Sequence, residues 1–346
     1  MGAFQFGVYK ALKEKGYEPD WVAGISIGAI NAAIVAGNAP GDRLKRLENF
    51  WSTVAGRLDW WERVPNFYSE KLMNQWKVWL SMVGGVPGFF RPNLIAPPFA
   101  SPASPQAGSL YNTQELRKTL ERLINFQLLN DDKSPDHVRL TLGATDVSRG
   151  EPKIFENFGP KKVRITVDHT LASGAIAPSF AGVVIDGRLY WDGGVSSNSS
   201  VRHILHDLNN IAKGKHVLVF AIDLWSHGNT EPKTFDEVSW RLKQIYFSSR
   251  LKHEIDRGKT LLDHELQKEQ AASGSTGAQG QGRIDIVRVS YESETSQIPW
   301  DDVLFSRTAI EGRIRKGHSA MSAYFDREPS PWHPQGTRER VTTHFC

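Results

Sequence analysis

Cysteine is all but absent from this chain: of 346 residues, only the last, Cys346, is one. That excludes an internal disulfide framework and fits a reducing compartment. No stretch approaches the ~20 consecutive apolar residues that a membrane-spanning helix needs. Charge of one sign is scarce too. Lys and Arg number 42 against 38 Asp and Glu, giving a net charge of +4, too small to argue for a nucleic-acid partner. There is no internal repeat and no cluster with metal-ligand spacing; His203 and His206 stand three apart without partners nearby. The opening residues lack a charged-then-apolar leader pattern, and Phe6 occupies the position where myristoylation after Met1-Gly2 wants Ser or Thr. A cytoplasmic protein without metal or cofactor is expected. A hydrophobic content of 40% with 23% charged residues is ordinary for a globular protein. The length allows one large or two moderate domains.

What is present begins with Gly24-Ile25-Ser26-Ile27-Gly28, a Gly-x-Ser-x-Gly pentapeptide. Trp21-Val22-Ala23 reads as the end of a strand before it, and Ile27 to Gly37 as an apolar helix after it. A serine at such a junction sits in a tight, strained turn that leaves its hydroxyl exposed, and glycines on either side let the two backbones pass closely. The hydroxyl becomes a nucleophile where a base lies within hydrogen-bond reach. The pentapeptide alone arises by chance roughly one time in five or six in a chain of this length and composition. A second motif is needed to decide its meaning.

That motif is Val183-Val184-Ile185-Asp186-Gly187-Arg188-Leu189-Tyr190-Trp191-Asp192-Gly193-Gly194. Asp186-Gly187 between two short apolar runs predicts a two-residue hairpin turn. Asp192 then ends the second strand, backed by Gly193 and Gly194. A carboxylate placed there suits a base held against another loop, although an aspartate that merely opens a turn would read the same.

The two motifs in this order resemble the patatin-like phospholipases. The resemblance extends to Leu171-Ala172-Ser173-Gly174-Ala175-Ile176-Ala177-Pro178-Ser179-Phe180, to Asn198, to Leu110-Tyr111-Asn112-Thr113 and to Leu142-Gly143-Ala144-Thr145-Asp146. It covers about residues 2–225, with a weaker match over 305–325; Ser200 departs from the proline common there. It implies a Ser26–Asp192 catalytic dyad without histidine, acting on phospholipids or other lipid acyl esters. It also implies contact with the membrane periphery. The family's fold is a three-layer α/β sandwich with a mostly parallel central sheet and helices on both faces.

A Ser-His-Asp triad on the α/β-hydrolase fold is the rival with the same pentapeptide. That fold needs several elements before its elbow, and only 25 residues precede Ser26 here. None of the eleven histidines, His169, His203, His216 and His318 among them, lies in a recognisable motif. Each is read as a surface or packing residue.

Phe4, Val8, Ala11 and Leu12 recur at helical spacing, and Gly16 is the expected helix terminator. The sequence is thus expected to start within a helix, with no strand before it, which would leave a gap in a parallel sheet. In the family, a strand and a glycine-rich loop that supplies oxyanion donors precede this helix. Gly2 matches the last glycine of that loop and Met1 its basic position. Gly2 and the Ile27 N–H are the expected oxyanion donors, and the chain is expected to be a shortened version of an active enzyme.

Along the rest, residues 44–79 read as helical and aromatic-rich, with Phe50, Trp51, Trp60, Trp61, Phe67, Trp76 and Trp79. Residues 84–108 are rich in Pro and Gly, too long for an ordinary connection. Phe89, Phe90, Leu94, Ile95 and Phe99 there could roof an acyl pocket, touch a bilayer or cover the core. Asn112 is the expected cap of the next helix, with Glu115 in the capping-box position. Strands are expected at 138–144, 163–167, 216–224 and 284–289, and helices at 235–270 and 305–325. The basic residues of the 235–270 helix could meet anionic headgroups, but interleaved Glu254 and Asp256 suit a solvated face. Residues 271–282 read as a flexible loop and the last twenty as an irregular tail.

The division expected is a catalytic domain over 1–225 and a C-terminal α/β extension over 226–346. The activity expected is carboxylic ester hydrolysis through an acyl-enzyme, with nucleophile Ser26, base Asp192, elbow glycines Gly24 and Gly28, and Gly193 and Gly194 beside the base. The alternatives are a catalytically impaired lipid-binding relative and a histidine-dependent esterase.

Overall fold

The computed structural model describes residues 1–55, 70–93, 108–196, 203–204, 215–225, 231–273, 283–292, 304–327 and 341–346. Trp60, Trp61, Phe67, Leu94, Ile95, Phe99, Asn198, Ser200 and His206 lie outside these residues, as does most of the expected 271–282 loop.

The chain opens with helix α1 (Ala3–Glu14), which ends as its sequence requires. Gly16 takes φ +84°, its N–H reaches the Lys13 carbonyl, and the Tyr17 N–H reaches that of Leu12. This is the Schellman pattern, which only glycine adopts without strain. Strand β1 (Trp21–Ile25) and helix α2 (Ile27–Ala36) follow, then α3 (Arg43–Ala55) and α4 (Glu70–Gly84). The short strands β2 (Arg91–Pro92) and β3 (Tyr111–Asn112) pair antiparallel ahead of α5 (Gln114–Leu123) and the single turn α6 (Phe126–Leu129). The cap of α5 is Thr113, not Asn112, whose carboxamide donates instead to Asn93; Glu115 pairs with Arg91.

The main sheet is built around β4 (Arg139–Asp146), which is buried along nearly its whole length. Its Leu140, Leu142 and Ala144 side chains enter the core formed with α2, α3 and α5. β1 lies parallel to β4. β5 (Glu151–Glu156) and β7 (Arg188–Asp192) lie antiparallel to it, and β6 (Val183–Ile185) joins β7. The β6–β7 hairpin turns at Asp186 (φ +49°) and Gly187 (φ +75°), as the Asp-Gly pair predicts. A second, fully parallel sheet contains β8 (His216–Asp223), β9 (Arg283–Ser290) and β10 (Val341–Phe345). Parallel pairing is thus shared between two sheets, and the hairpins bring the antiparallel strands.

Three further expectations need correction. Residues 163–167 are not a strand: Thr166 is the N-cap of α7 (Val167–Ser173), and its N–H is taken by Nδ1 of His169. The end of the chain is not irregular, since Val341-Thr342-Thr343-His344-Phe345, a β-branched and aromatic run, forms β10 against β9. The expected boundary at 225/226 falls within the second sheet, separating β8 from β9 and β10. Buried charges set the pairing there. Asp285 accepts from His216 at 2.6 Å on one side and His344 at 2.9 Å on the other, and Arg288 meets Asp223 at 2.6 Å.

Two long helices complete the chain: α8 (Phe235–Ser273) and α9 (Arg307–Arg327). Among the described residues, no helix is long and apolar enough to cross a membrane. α1 joins the two sheets. Its Phe4, Val8, Ala11 and Leu12 pack with Val287 and Val289 of β9 and with Met321, Tyr324 and Phe325 of α9, while Ala3, Phe6 and Tyr9 enter the first core. Two glycines allow α1 and α9 to touch backbone to backbone. A Cβ on Gly7 would stand 2.0 Å from the Ile314 carbonyl oxygen, and one on Gly317 would stand 2.1 Å from that of Phe4.

Gly317→Ala should therefore lower stability by about 2–3 kcal/mol, because neither backbone can move aside alone. Gly312→Ala on the same helix meets nothing nearer than 3.9 Å and should be neutral, or stabilising by up to about 1 kcal/mol. Chemical denaturation of the two variants checks the pair; similar losses in both would refute the close contact.

Candidate active site

β1 ends at Ile25, opposite Gly143 of β4, and at the next rung Asp192 of β7 stands opposite Ala144. Because β5 pairs with Thr141–Asp146 along the other edge, β1 and β7 share one edge of β4, and the elbow and the end of β7 meet there at consecutive rungs. A Cβ on Gly193 would accordingly fall 3.0 Å from the Ile25 side chain.

Ser26 takes φ +56° and ψ −124°, a left-handed conformation for a residue with a side chain, at a cost of about 1–3 kcal/mol. Several bonds hold it there. Its N–H meets both the carbonyl oxygen and Oγ of Ser173, at 3.0 and 3.1 Å. Its carbonyl accepts from the Ala29 and Ile30 N–H groups, starting α2. Its hydroxyl makes no capping bond and stays available for chemistry.

Gly24 is required for this turn: a Cβ there would stand 2.3 Å from the Gly28 carbonyl. Gly28 is not. A Cβ there would meet only Gln5 Nε2, at 3.4 Å, and its backbone is not left-handed. The expectation that both flanking glycines serve close approach thus holds for Gly24 alone. Gly193 is also constrained, since a Cβ would fall 2.6 Å from the Gly143 oxygen.

Asp192 is buried, 2% exposed. Its N–H donates to Ala175 at 2.9 Å, its carbonyl accepts from Thr145 Oγ1 at 2.8 Å, and its Oδ1 accepts from the Gly194 N–H at 2.7 Å. The other carboxyl oxygen, Oδ2, is buried without a hydrogen-bond partner. Loss of water pushes the carboxyl up to about 6; the Ser26 side chain and the Gly194 N–H oppose that rise. Ser26 is thus near enough to favour the ionised carboxyl, although no hydrogen bond to Oδ2 is formed. An unsatisfied buried carboxyl oxygen beside a hydroxyl that makes no capping bond is an arrangement suited to proton transfer.

The expected oxyanion residues also meet. Gly2 packs against Ile27, where a Cβ on Gly2 would come within 2.3 Å of the Ile27 side chain. The Asn31 amide holds this junction, donating to the Gly2 carbonyl at 3.0 Å and to Gln5 at 2.8 Å while its oxygen accepts from Trp51. Among the described residues, the Ile27 N–H has no acceptor.

Five histidines are engaged elsewhere. His169 packs its ring 4.7 Å from Phe155, and burial lowers its pKa. His203 meets Glu156, His216 and His344 meet Asp285, and His318 meets Glu14. Among the described residues, no histidine hydrogen-bonds Ser26 or Asp192, and no cluster could hold a metal ion. Phe89 and Phe90 form part of an aromatic cluster with Phe50, Tyr111, Phe180 and Phe305, which makes them core. Reading the sequence missed Ser173 as the partner of the elbow, although it lies in a segment that carries the family resemblance.

A family model described as Patatin-like phospholipase matches residues 1–205. The chain belongs to the patatin-like phospholipase family. A second model, described as Patatin phospholipase, matches residues 242–336, so C-terminal residues share the assignment. The family's class of activity is lipid acyl hydrolysis. No curated protein matches the sequence. Among solved structures, the crystal structure of VipD from Legionella pneumophila is similar over 94% of this chain, with 12% identity and a TM-score of 0.39. This chain spans 65% of that one.

Two outcomes test the site as described. Gly24→Ala should disrupt the elbow and abolish ester hydrolysis, whereas Gly28→Ala should keep activity within about threefold; equal losses would contradict the asymmetry. Asp192→Asn tests burial. A carboxyl raised to about 6, against about 3.9 unfolded, contributes stability that is fully present below pH 4 and lost as pH rises through 6. Above that pH the buried ion costs about 2–3 kcal/mol. The Asn variant should melt above wild type at pH 8, with the gain gone by pH 4. A variant no more stable at pH 8 than at pH 4, relative to wild type, would count against the burial.

Proposed function

We propose that this protein is a serine lipid acyl hydrolase in which Ser26 and Asp192 act as a two-residue machine. One observation carries the reading: the buried, half-satisfied Asp192 carboxyl lies beside a serine held in a left-handed turn, whose side chain favours the ionised carboxyl and makes no capping bond. Ser26 Oγ attacks the acyl carbonyl carbon while Asp192 takes its proton. The tetrahedral intermediate collapses, the carbonyl re-forms, and the leaving alkoxide departs with the proton returned by Asp192. Water then attacks the acyl-serine, giving its proton to Asp192. Collapse releases the fatty acid, and Ser26 Oγ recovers the proton. The Ile27 N–H, with Gly2 beside it, is our assignment for the oxyanion donors; one such donor is worth about 2.7–4 kcal/mol.

The substrate class follows from the family: phospholipids or other lipid acyl esters. A surface feature agrees with a lipid partner. Trp76, Trp79 and Val83 lie on one face of α4, 59%, 52% and 57% exposed, with the two indole rings 5.5 Å apart. Indoles suit the boundary between headgroups and water.

An active-site fluorophosphonate should label wild type and not Ser26→Ala. Asp192→Asn should lower kcat by about 10³-fold, and kcat/KM of wild type should fall tenfold per pH unit below about 6. No labelling of wild type would favour the non-catalytic lipid-binding reading. A single His→Ala change as damaging as Asp192→Asn would favour a triad. Replacing Trp76 and Trp79 by Ser should weaken binding to phospholipid vesicles about tenfold and leave hydrolysis of a soluble short-chain ester unchanged. Equal loss on both would assign the indoles to packing.

A further inference from the structure

The segment that follows α7 holds both proposed catalytic residues by their backbones. Ser173, the last residue of α7, accepts the Ser26 N–H through its carbonyl (3.0 Å) and its hydroxyl (3.1 Å). Two residues on, the Ala175 carbonyl accepts the Asp192 N–H at 2.9 Å. The Ser173 hydroxyl also donates to the Gly143 carbonyl at 2.6 Å, which ties the clamp to the strand along whose edge elbow and base meet. Gly193 in turn packs on that same carbonyl. Ser173 is fully buried, so no water competes for these bonds.

The clamp has a rigid mount. α7 is fixed by the His169 bond to Thr166, by the His169 ring against Phe155 and by the Arg117–Asp168 ion pair. Downstream, the Pro178 and Ser179 carbonyls accept from the Leu110 and Tyr111 N–H groups at 3.1 and 2.9 Å. Residues in sparsely populated backbone conformations persist only where their surroundings over-determine them. Here the over-determining bonds on the N–H side all come from Ser173.

We propose that Ser173 is a positioning residue: its hydroxyl and carbonyl fix the elbow against the Asp192 loop, so that nucleophile and base keep their separation. The inference rests on the hydrolase reading and adds what regulates its geometry. It also assigns the Ser26 N–H to structure, leaving the Ile27 N–H as the elbow's oxyanion donor. Among the described residues, the Ser26 side chain and the Gly194 N–H are the groups that favour the ionised form of the Asp192 carboxyl.

The test uses the full chain and a soluble p-nitrophenyl ester. Ser173→Ala should lower kcat about 10- to 100-fold with KM within twofold, since a displacement near 1 Å has about that effect. The acid limb of its pH–rate profile should move upward, because a drifting Ser26 no longer favours the ionised carboxyl. Ser173→Thr, which keeps the hydroxyl, should recover most of the rate. A folded Ser173→Ala with wild-type kcat and an unmoved acid limb overturns the proposal. So does a loss that only tracks the folded fraction. Amide hydrogen exchange on wild type reads the clamp even if Ser173→Ala does not fold: Ser26 and Asp192 amides opening together support it, and a much faster Ser26 amide overturns it. Ser26→Ala, assayed in parallel, separates the two ideas. Undiminished turnover in that variant would sink the hydrolase reading, while the exchange experiment would still decide the clamp.

Discussion

A carboxyl group kept from water beside a strained serine is the constraint around which this chain is arranged. Both members are unfavourable in isolation: the serine through its left-handed backbone, the aspartate through loss of hydration. Together they cost several kcal/mol, on the order of half the net stability of a typical domain. Such a pair survives only in a framework that cannot relax. The framework is β4, buried on both faces, along one edge of which the elbow and the Asp192 end of β7 meet.

Distant parts of the chain stiffen the same spot. Asn31 on α2 grips the start of α1 through the Gly2 carbonyl, and Trp51 on α3 fixes the Asn31 oxygen. α1 is in turn held against α9 by the Gly7 and Gly317 contacts. A C-terminal helix therefore bears, through one intervening helix, on the residues that open α2. This gives the C-terminal match to the family a physical content. Residues 242–336 include the helix and the strand that cover the outer face of α1.

What could be read from the sequence was local. The Asp-Gly hairpin, the Schellman glycine, the elbow and the apolar α2 each carry their instruction within a few residues. What escaped was pairing at a distance. β5 alternates weakly, with Pro152 and Lys153 facing solvent, so only its ladder with β4 reveals it as a strand. β10 has a β-branched run, but the prolines ahead of it drew attention to irregularity; the His344–Asp285 bond lies 59 residues away in sequence. Ser173 sat in plain view within a familiar segment. Its role depends on a partner 147 residues away, a relation that no periodicity encodes. The Gly24–Gly28 asymmetry is of the same kind, because only the helix packing back over the turn shows which glycine is crowded.

If Asp192 is the base, as proposed, the absence of a histidine among the described residues of the site has a physical account. A general base works best when its pKa lies near the operating pH. Imidazole starts there, at about 6.5, whereas an exposed aspartate at about 3.9 is far too weak. Burial closes most of that difference by bringing Asp192 to about 6. Full desolvation without compensation would overshoot and leave the carboxyl protonated at neutral pH, unable to accept. The Gly194 N–H and the Ser26 side chain oppose that rise, and the bond from Gly194 remains whatever the serine is doing. The glycines after Asp192 thus serve two purposes: Gly193 lets the loop press on β4, and Gly194 keeps the buried acid basic without making it inert.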